Sequence, residues 1–339
     1  YGGLTTPDPV ALHKELARLA RDKGTHAALE ASSHGLDQFR LDGVRLTAAG
    51  FTNLGRDHMD YHATVEDYLN AKLRLFRDLL PVGGTVVVDP GESYADRVLA
   101  VAAERKLPVI SVGETGKDLK LTGLRQTTSG QVLTVQTARG DYTVTLPMIG
   151  RFQISNALIA AGLAIAAGIE TGKALRSLES LKGAPGRLEF AGRTSSGGTV
   201  VIDYAHKPDA LEQVLLSVRP FTTGEIVVVF GAGGDRDPGK RPIMGEVATR
   251  LADRVYVTDD NPRSEEPADI RAAIMAAAPG ATEIGDRREA IRTAIASLKR
   301  GDTLIIAGKG HETGQTAKGV TVHFSDHEEA RAAIGEAAA

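Results

Sequence analysis

Apolar residues along the chain alternate between two spacings. Short runs of β-formers at His26–Glu30, Ala48–Thr52 and Thr85–Asp89 read as strands. Between them, Val65, Leu69, Phe76 and Leu79 share one stripe at helical spacing, which predicts a helix from Val65 to Leu79. Strand and helix in alternation argue for parallel α/β architecture. From about Leu119 to Leu146 the pattern changes. Thr and Val alternate around Ser129-Gly130 and Gly140-Asp141, which predicts an antiparallel meander. A helix rich in small residues follows, Phe152 to Ala167. Gly183-Ala184-Pro185-Gly186 is the expected boundary and hinge. Beyond it the α/β rhythm restarts, with strand-like runs at Thr199–Asp203, Glu225–Phe230, Val255–Thr258, Thr303–Ala307 and Val320–Phe324. Two α/β domains are expected, about 1–187 and 188–339.

Polar clusters sit just past the predicted strand ends. Ala31-Ser32-Ser33-His34-Gly35 follows the first run, and Asn53 through Asp60 follows the second. In the second half the clusters are Tyr204-Ala205-His206-Lys207-Pro208, Gly231 through Asp237, Asp259-Asp260-Asn261-Pro262-Arg263, and Gly308-Lys309-Gly310-His311-Glu312. In open parallel sheets ligands bind at that edge. One cluster would be an ordinary turn; clusters repeated in both halves predict two facing edges with a cleft between them.

Composition narrows the chemistry. The 339 residues are 42% hydrophobic, enough for a real core, and carry a formal net charge of −3. That balance gives no general pull toward nucleic acid or an acidic membrane. There is no cysteine, so disulfides and thiolate metal sites are excluded. No apolar run approaches the ~18 residues of a membrane span, and no signal peptide is expected. A cytoplasmic protein is expected, acting as a monomer. The chain opens on Tyr1-Gly2-Gly3, which reads as the middle of a loop, so a fragment of a longer protein is expected; a processed complete protein is the alternative.

Single residues add candidates. Lys72 falls close to the apolar stripe of its helix. It is either a snorkelling stem or a partly buried lysine tuned for chemistry. His58 and Asp60 lie on the loop entering that helix, so a metal site there is feasible, and hard ligands with a histidine suit Mg²⁺ or Mn²⁺. Arg236 and Arg263 follow acidic residues on Gly- or Pro-bearing loops. Bidentate carboxylate recognition and a surface salt bridge both fit. No stretch satisfies the Walker pattern G-x-x-x-x-G-K-[ST]: Gly116-Lys117 is followed by Asp118, Lys240 by Arg241, and Lys309 by Gly310.

Together the motifs resemble the Mur ligases of peptidoglycan synthesis, from about Thr5 to the end of the chain. They are Thr5-Thr6-Pro7-Asp8, Glu30 through Leu36, Thr52-Asn53-Leu54, Arg56 through His62, Ala71-Lys72, Phe152-Gln153 with Asn156-Ala157, Pro185-Gly186-Arg187, Asp203-Tyr204-Ala205-His206, Gly234 through Asp237, Asp260 through Arg263, and Gly308 through Glu312. The resemblance implies a central ATPase-like domain, mainly parallel and incomplete at its N-terminus, and a C-terminal Rossmann-like domain. It implies an ATP-dependent carbon–nitrogen ligase that adds meso-diaminopimelate to UDP-MurNAc-L-Ala-D-Glu through an acyl phosphate, with Mg²⁺. Thr5, Thr6, Ser32, Gln38 and Arg40 match positions that bind the UDP-MurNAc-dipeptide. Glu30, His58 and Lys72, the last as a carbamate, match catalytic metal-ligand positions. Asn156, Arg187, Asp203 and, in the same region, His206 match ATP positions. Arg236, Asp260, Asn261, Pro262, Arg263, Gly308 and Glu312 match the diaminopimelate pocket.

The resemblance also marks departures. The family's uridine-binding domain and phosphate loop precede the position matched by residue 1, so little or no turnover is expected from this chain alone. The rival expectations are a substrate-binding fragment without catalysis and a relative adding a different amino acid. A folylpolyglutamate-type ligase fits the Ser-Ser-His-Gly and Asp-Asn-Pro-Arg segments less well.

Overall fold

A computed structural model of the chain describes residues 4–55, 61–127 and 130–336. The chain splits into two compact units, one of Tyr1–Arg125, Val132–Leu146 and Phe152–Ser180, the other of Gln126–Gln131, Pro147–Arg151 and Leu181–Ala339.

The first unit opens with helix α1 (Pro9–Arg21), capped by the Asp8 carboxylate on the amides of Val10 and Ala11. Short helix α2 (Ser33–Asp37) starts where the Ser32 hydroxyl accepts the Gly35 amide. A sheet of strands β1 (Ala48–Phe51), β2 (Thr85–Val88), β3 (Val109–Gly113), β4 (Leu119–Thr127), β5 (Gly130–Thr137) and β6 (Gly140–Leu146) runs in chain order. β1 through β4 pair in parallel. The last three strands are joined by connections too short for a parallel crossover, so they form the expected meander. Helices α3 (Val65–Arg74) and α4 (Ala95–Glu104) cover one face through Leu69, Leu73, Val98 and Ala102. Helix α5 (Arg151–Ala166) approaches closely at Gly162, where an added Cβ would stand 2.6 Å from Val87. α6 (Thr171–Ser177) follows.

Two expectations change here. His26–Glu30 forms no strand; these residues are exposed and have no neighbouring ladder. The helix predicted from Val65 to Leu79 is α-helical only to Arg74, and Leu75–Leu79 forms a π-turn. The π-turn carries Phe76 into the core of the first unit and widens the helix just after Lys72.

The second unit is doubly wound. Its sheet has the order β11 (Thr282–Glu283), β10 (Arg254–Val257), β9 (Ile226–Phe230), β12 (Thr303–Ala307), β8 (Thr199–Asp203) and β7 (Glu189–Arg193). All pairings are parallel except β7 against β8. Val200, Ile202, Val227, Val229, Leu304 and Ile306 pack against α10 (Arg287–Ala296) and α11 (Asp326–Glu336). The alternate residues Val201, Val228 and Ile305 face the opposite way and are equally buried. α7 (Pro208–Val218), α8 (Lys240–Leu251) and α9 (Pro267–Met275) pack in series, with α7 against β12 and α8 and α9 against β10. The run predicted at Val320–Phe324 is a strand over Val320–His323, but it lies outside the six-stranded sheet. β13 (Gly314–Ala317) and β14 (Val320–His323) form a separate antiparallel hairpin around Lys318-Gly319, whose φ values of 48° and 79° suit a tight hairpin turn. Among the described residues no helix is long and apolar enough to cross a membrane.

A buried ion pair anchors this unit. Arg287 and Asp326 have no exposed side-chain surface and lie 2.7 Å apart. Arg287 also donates to the Ala307 carbonyl at 2.9 Å. Asp326→Ala strands a buried guanidinium, so it is expected to cost about 3–5 kcal/mol of stability, read as a lower urea midpoint. A change below ~1 kcal/mol would contradict this account.

Candidate functional site

Strands β9 and β12 are neighbours, but their following chains leave in opposite directions: toward α8 and β10 after β9, toward the hairpin and α11 after β12. That is a topological switch point, where the loops part and leave a crevice. The loops after β8, β9, β10 and β12 meet at this edge.

Their conformations are tightly specified. Gly308 has φ +115°, and a Cβ there would lie 2.6 Å from Asp260 Oδ2, so only glycine seats the loop after β12 against the loop after β10. Asp260 is buried, and its Oδ1 accepts the Asn261 amide at 2.6 Å. Asn261 Nδ2 donates to Glu312 Oε2 at 2.8 Å, and its Oδ1 accepts the Thr316 amide at 2.9 Å. Pro262 is buried, and the Pro262-adjacent turn is closed by the Gly234 amide donating to the Asn261 carbonyl. Arg263 has φ +53°, strained for a side-chain-bearing residue, and is held there by the hairpin: its amide donates to the Thr316 carbonyl and its carbonyl accepts from Lys318. One guanidinium nitrogen of Arg263 donates to the Gly234 carbonyl at 2.8 Å; the others have no protein partner among the described residues. Arg236 is exposed and, among the described residues, donates only to its neighbour's carbonyl.

The residues matched to ATP in this unit form a second group. Asp203 ends β8, buried, and its two oxygens accept the amides of Leu188 and Ala205 at 2.7 and 2.8 Å. Burial nevertheless pushes its carboxyl above the usual carboxylate range. With both oxygens used this way, Asp203 braces the Gly186–Leu188 turn. Exposed Arg187 stacks its guanidinium 5.2 Å from the Tyr204 ring centroid. His206 donates from Nδ1 to the Tyr204 carbonyl at 2.8 Å, which leaves Nε2 as the lone-pair nitrogen of the neutral ring. Burial first, then the charges of Lys240 and Lys207, lowers the His206 pKa. Lys240 Nζ donates to the His206 carbonyl at 2.9 Å, and burial lowers its pKa too, while Asp260 opposes that shift.

In the first unit, Thr6 is fully buried. Its hydroxyl donates to the Glu30 carbonyl at 2.9 Å and accepts the Ser32 amide at 3.0 Å. Arg40 donates to the Thr6 carbonyl and to Gln38, which reaches the Tyr61 hydroxyl. Thr5, Glu30 and Gln38 are exposed. The structure therefore brings Thr6, Glu30, Ser32, Gln38 and Arg40 together. Lys72 is half-buried, with Nζ 5.5 Å from the Tyr68 ring centroid. Tyr68 stacks on His62, whose buried Nε2 has no hydrogen-bond partner among the described residues. Asn156 lies half-buried on α5. His58 lies outside the described residues.

Three contributors have no singled-out role in the sequence: Lys309, fully buried beside Asn261 and Glu312; Lys240; and the Tyr204 hydroxyl, 3.5 Å from Glu312 Oε1. A lysine inside a Gly-Lys-Gly turn looks like a solvated loop cation. Only its burial distinguishes it.

A doubly wound sheet whose switch-point loops carry carboxylates, a guanidinium and an amide defines an α/β unit with a polar crevice at its strand ends. The chain belongs to the Mur ligase family. The profile of the Mur ligase middle domain matches residues 1–164, and that of the Mur ligase glutamate ligase domain matches residues 186–310. The chain is similar to the UDP-N-acetylmuramoyl-L-alanyl-D-glutamate–2,6-diaminopimelate ligase of Mesorhizobium japonicum, 62% identical over 339 residues that span 100% of this chain and 70% of the relative. The protein of the same name from Agrobacterium fabrum is 58% identical over 336 residues, 99% of this chain and 69% of the relative. A solved structure of a ligase with this name superposes with a TM-score of 0.71 at 36% identity, covering 98% of this chain and 69% of that one. Folylpolyglutamate synthase of Mycobacterium tuberculosis shares the fold, with a TM-score of 0.61 at 20% identity over 77% of this chain and 61% of its own.

The depressed His206 pKa gives a pH dependence. The unfolded chain takes a proton near pH ~6.5, the folded chain only at lower pH. Folding stability therefore falls as pH drops from above ~6.5 toward the folded value. In His206→Gln the midpoint difference between pH 7.5 and pH 5.5 is expected to shrink. An unchanged difference would remove His206 from the account.

Proposed function

We propose that this chain carries the amino-acid pocket and the acceptor-side residues of a ligase that joins meso-diaminopimelate to UDP-MurNAc-L-Ala-D-Glu at the expense of ATP, in the cytoplasm. The observation that carries this reading is the pairing of opposite charges on one strand edge. The distal end of diaminopimelate holds both a carboxylate and an ammonium. Arg263, with guanidinium nitrogens left over, and exposed Arg236 suit the carboxylate; Asp260 and Glu312 suit the ammonium, with Asn261, Pro262 and Gly308 shaping the turn. A lysine-adding enzyme has no second carboxylate to bind and no use for that arginine.

In this reading the γ-phosphoryl group of ATP passes to the D-glutamate γ-carboxylate, the amine of diaminopimelate attacks the acyl phosphate, and phosphate leaves as the amide forms. Thr5, Ser32, Gln38 and Arg40 would contact the UDP-MurNAc-dipeptide. Thr6, whose hydroxyl is spent on Glu30 and Ser32, would set their positions. Asn156, Arg187 and His206 would serve the nucleotide, with Asp203 bracing the turn that carries Arg187.

The donors suit a hard divalent cation: Glu30 offers an exposed carboxylate, and a carbamate on half-buried Lys72 would replace a cation by two oxygens. With His58 these residues would hold Mg²⁺, which would neutralise phosphoryl charge when bound.

In phosphate-release assays of the ligase bearing this sequence, Arg263→Ala is expected to raise the KM for diaminopimelate by about 100-fold, the worth of a charge-assisted bidentate contact, with the KM for ATP nearly unchanged. Equal losses for both substrates would contradict the pocket. Lys72→Ala is expected to abolish turnover, with no recovery on adding bicarbonate; near-normal turnover would remove the carbamate.

A further inference from the structure

Lys309 has no exposed surface, yet its ammonium is fully satisfied. Nζ donates to the Gly314 carbonyl at 2.6 Å, to Glu312 Oε2 at 3.2 Å and to Asn261 Oδ1 at 3.4 Å. Those are an ammonium's three N–H bonds, so Lys309 has neither a donor nor a surface left for a ligand. Burying a cation is costly, and an apolar side chain could fill the same volume. What the cation does to its partners accounts for its presence.

Glu312 Oε2 accepts twice, from Lys309 and from Asn261 Nδ2 at 2.8 Å. Its other oxygen, Oε1, meets only the Tyr204 hydroxyl among the described residues, at 3.5 Å, a weak contact. The Glu312 side chain is 32% exposed, so the carboxylate can be reached from solvent. Asn261 Oδ1 is likewise spent on Lys309 and the Thr316 amide, which fixes the amide so that Nδ2 faces Glu312. The third bond ties both residues to the hairpin that holds Arg263.

We propose that Lys309 is a positioning residue of the amino-acid pocket: it pins one oxygen of Glu312 and the orientation of Asn261, so that Glu312 Oε1 is presented, charged and preset, to the distal ammonium of the incoming diamino acid. This rests on the diaminopimelate reading of the pocket. Presetting the acceptor removes the ordering cost that a free glutamate would incur on binding. Lys309 has no N–H left to donate to the distal carboxylate, and Arg263 keeps its own backbone bonds to Thr316 and Lys318, so the direct effect of Lys309 falls on the ammonium.

The test is isothermal titration of the 339-residue chain with meso-diaminopimelate and with 2-aminopimelate, which keeps both carboxylates and lacks one ammonium. The wild-type chain is expected to prefer diaminopimelate by about tenfold, the worth of one charge-assisted contact. Lys309→Met is expected to weaken diaminopimelate binding by about tenfold while changing 2-aminopimelate binding by less than about twofold, so that the preference disappears. Lys309→Gln, which keeps a donor, should fall between. Equal losses for both ligands, or an undiminished preference, would overturn the proposal. So would loss of cooperative melting in both variants, which would assign Lys309 to folding. No diaminopimelate binding by the wild-type chain would instead overturn the pocket reading on which the proposal stands.

Discussion

A guanidinium without access to water must find every partner within the protein, and in the second unit Arg287 meets that demand at the edge where four loops meet. Its Nε and one Nη donate to the two oxygens of Asp326, at the start of α11. The same Nη reaches the last carbonyl of β12, and the other Nη lies 3.5 Å from the Asp259 carbonyl, in the loop after β10. One side chain thus ties together two loops of the crevice and the helix that closes the sheet. A buried pair of this kind adds little to stability over an apolar pair, but it tolerates few arrangements. The position of Asp260 relative to Gly308 follows from it, since both lie one residue beyond an Arg287 acceptor.

On that frame the polar residues of the crevice are held by one another rather than by solvent. Asp203, Asp260, Asn261 and Lys309 are all buried, and each is bonded to backbone: Asp203 to the Leu188 amide, Asp260 to the Asn261 amide, Asn261 to the Thr316 amide and Lys309 to the Gly314 carbonyl. Low local polarity strengthens those bonds and shifts the titrating groups nearby: His206 and Lys240 both hold their protons less tightly because they are buried. What stays open to a ligand is the unpaired part of the network: guanidinium nitrogens of Arg263 and one oxygen of Glu312.

The first unit uses the same economy with a hydroxyl at its centre. Thr6 bonds Glu30 and Ser32, and through its carbonyl Arg40, so residues distant in sequence converge without a strand between them. The run at His26–Glu30 looks like a strand because its composition suits one. A strand, however, also needs a partner, and local composition says nothing of partners. The π-turn after Lys72 was similarly hidden: the apolar spacing from Leu69 to Phe76 fits an unbroken α-helix, and the wider turn is chosen by how Phe76 and Leu80 pack.

Legible in the residues alone are the α/β class, four of the six strands of the second sheet, the meander, and the loops on which polar residues gather; β7 and β11 are not. Each of these follows from periodicity, or from the way parallel strands must connect. Only the tertiary structure decided which residues face a ligand and which face each other. Thr6 and Asp203 read as ligand contacts in sequence but spend their polar atoms internally, while Lys309 reads as a loop cation and is wholly enclosed. The strand-like run at Val320–Phe324 is a strand, but it pairs with Gly314–Ala317 in a hairpin apart from the main sheet, and that hairpin braces Arg263. The reason is the same in each case: a residue's chemistry is local, but whether its bonds are already taken depends on chain segments that sequence spacing does not bring into view.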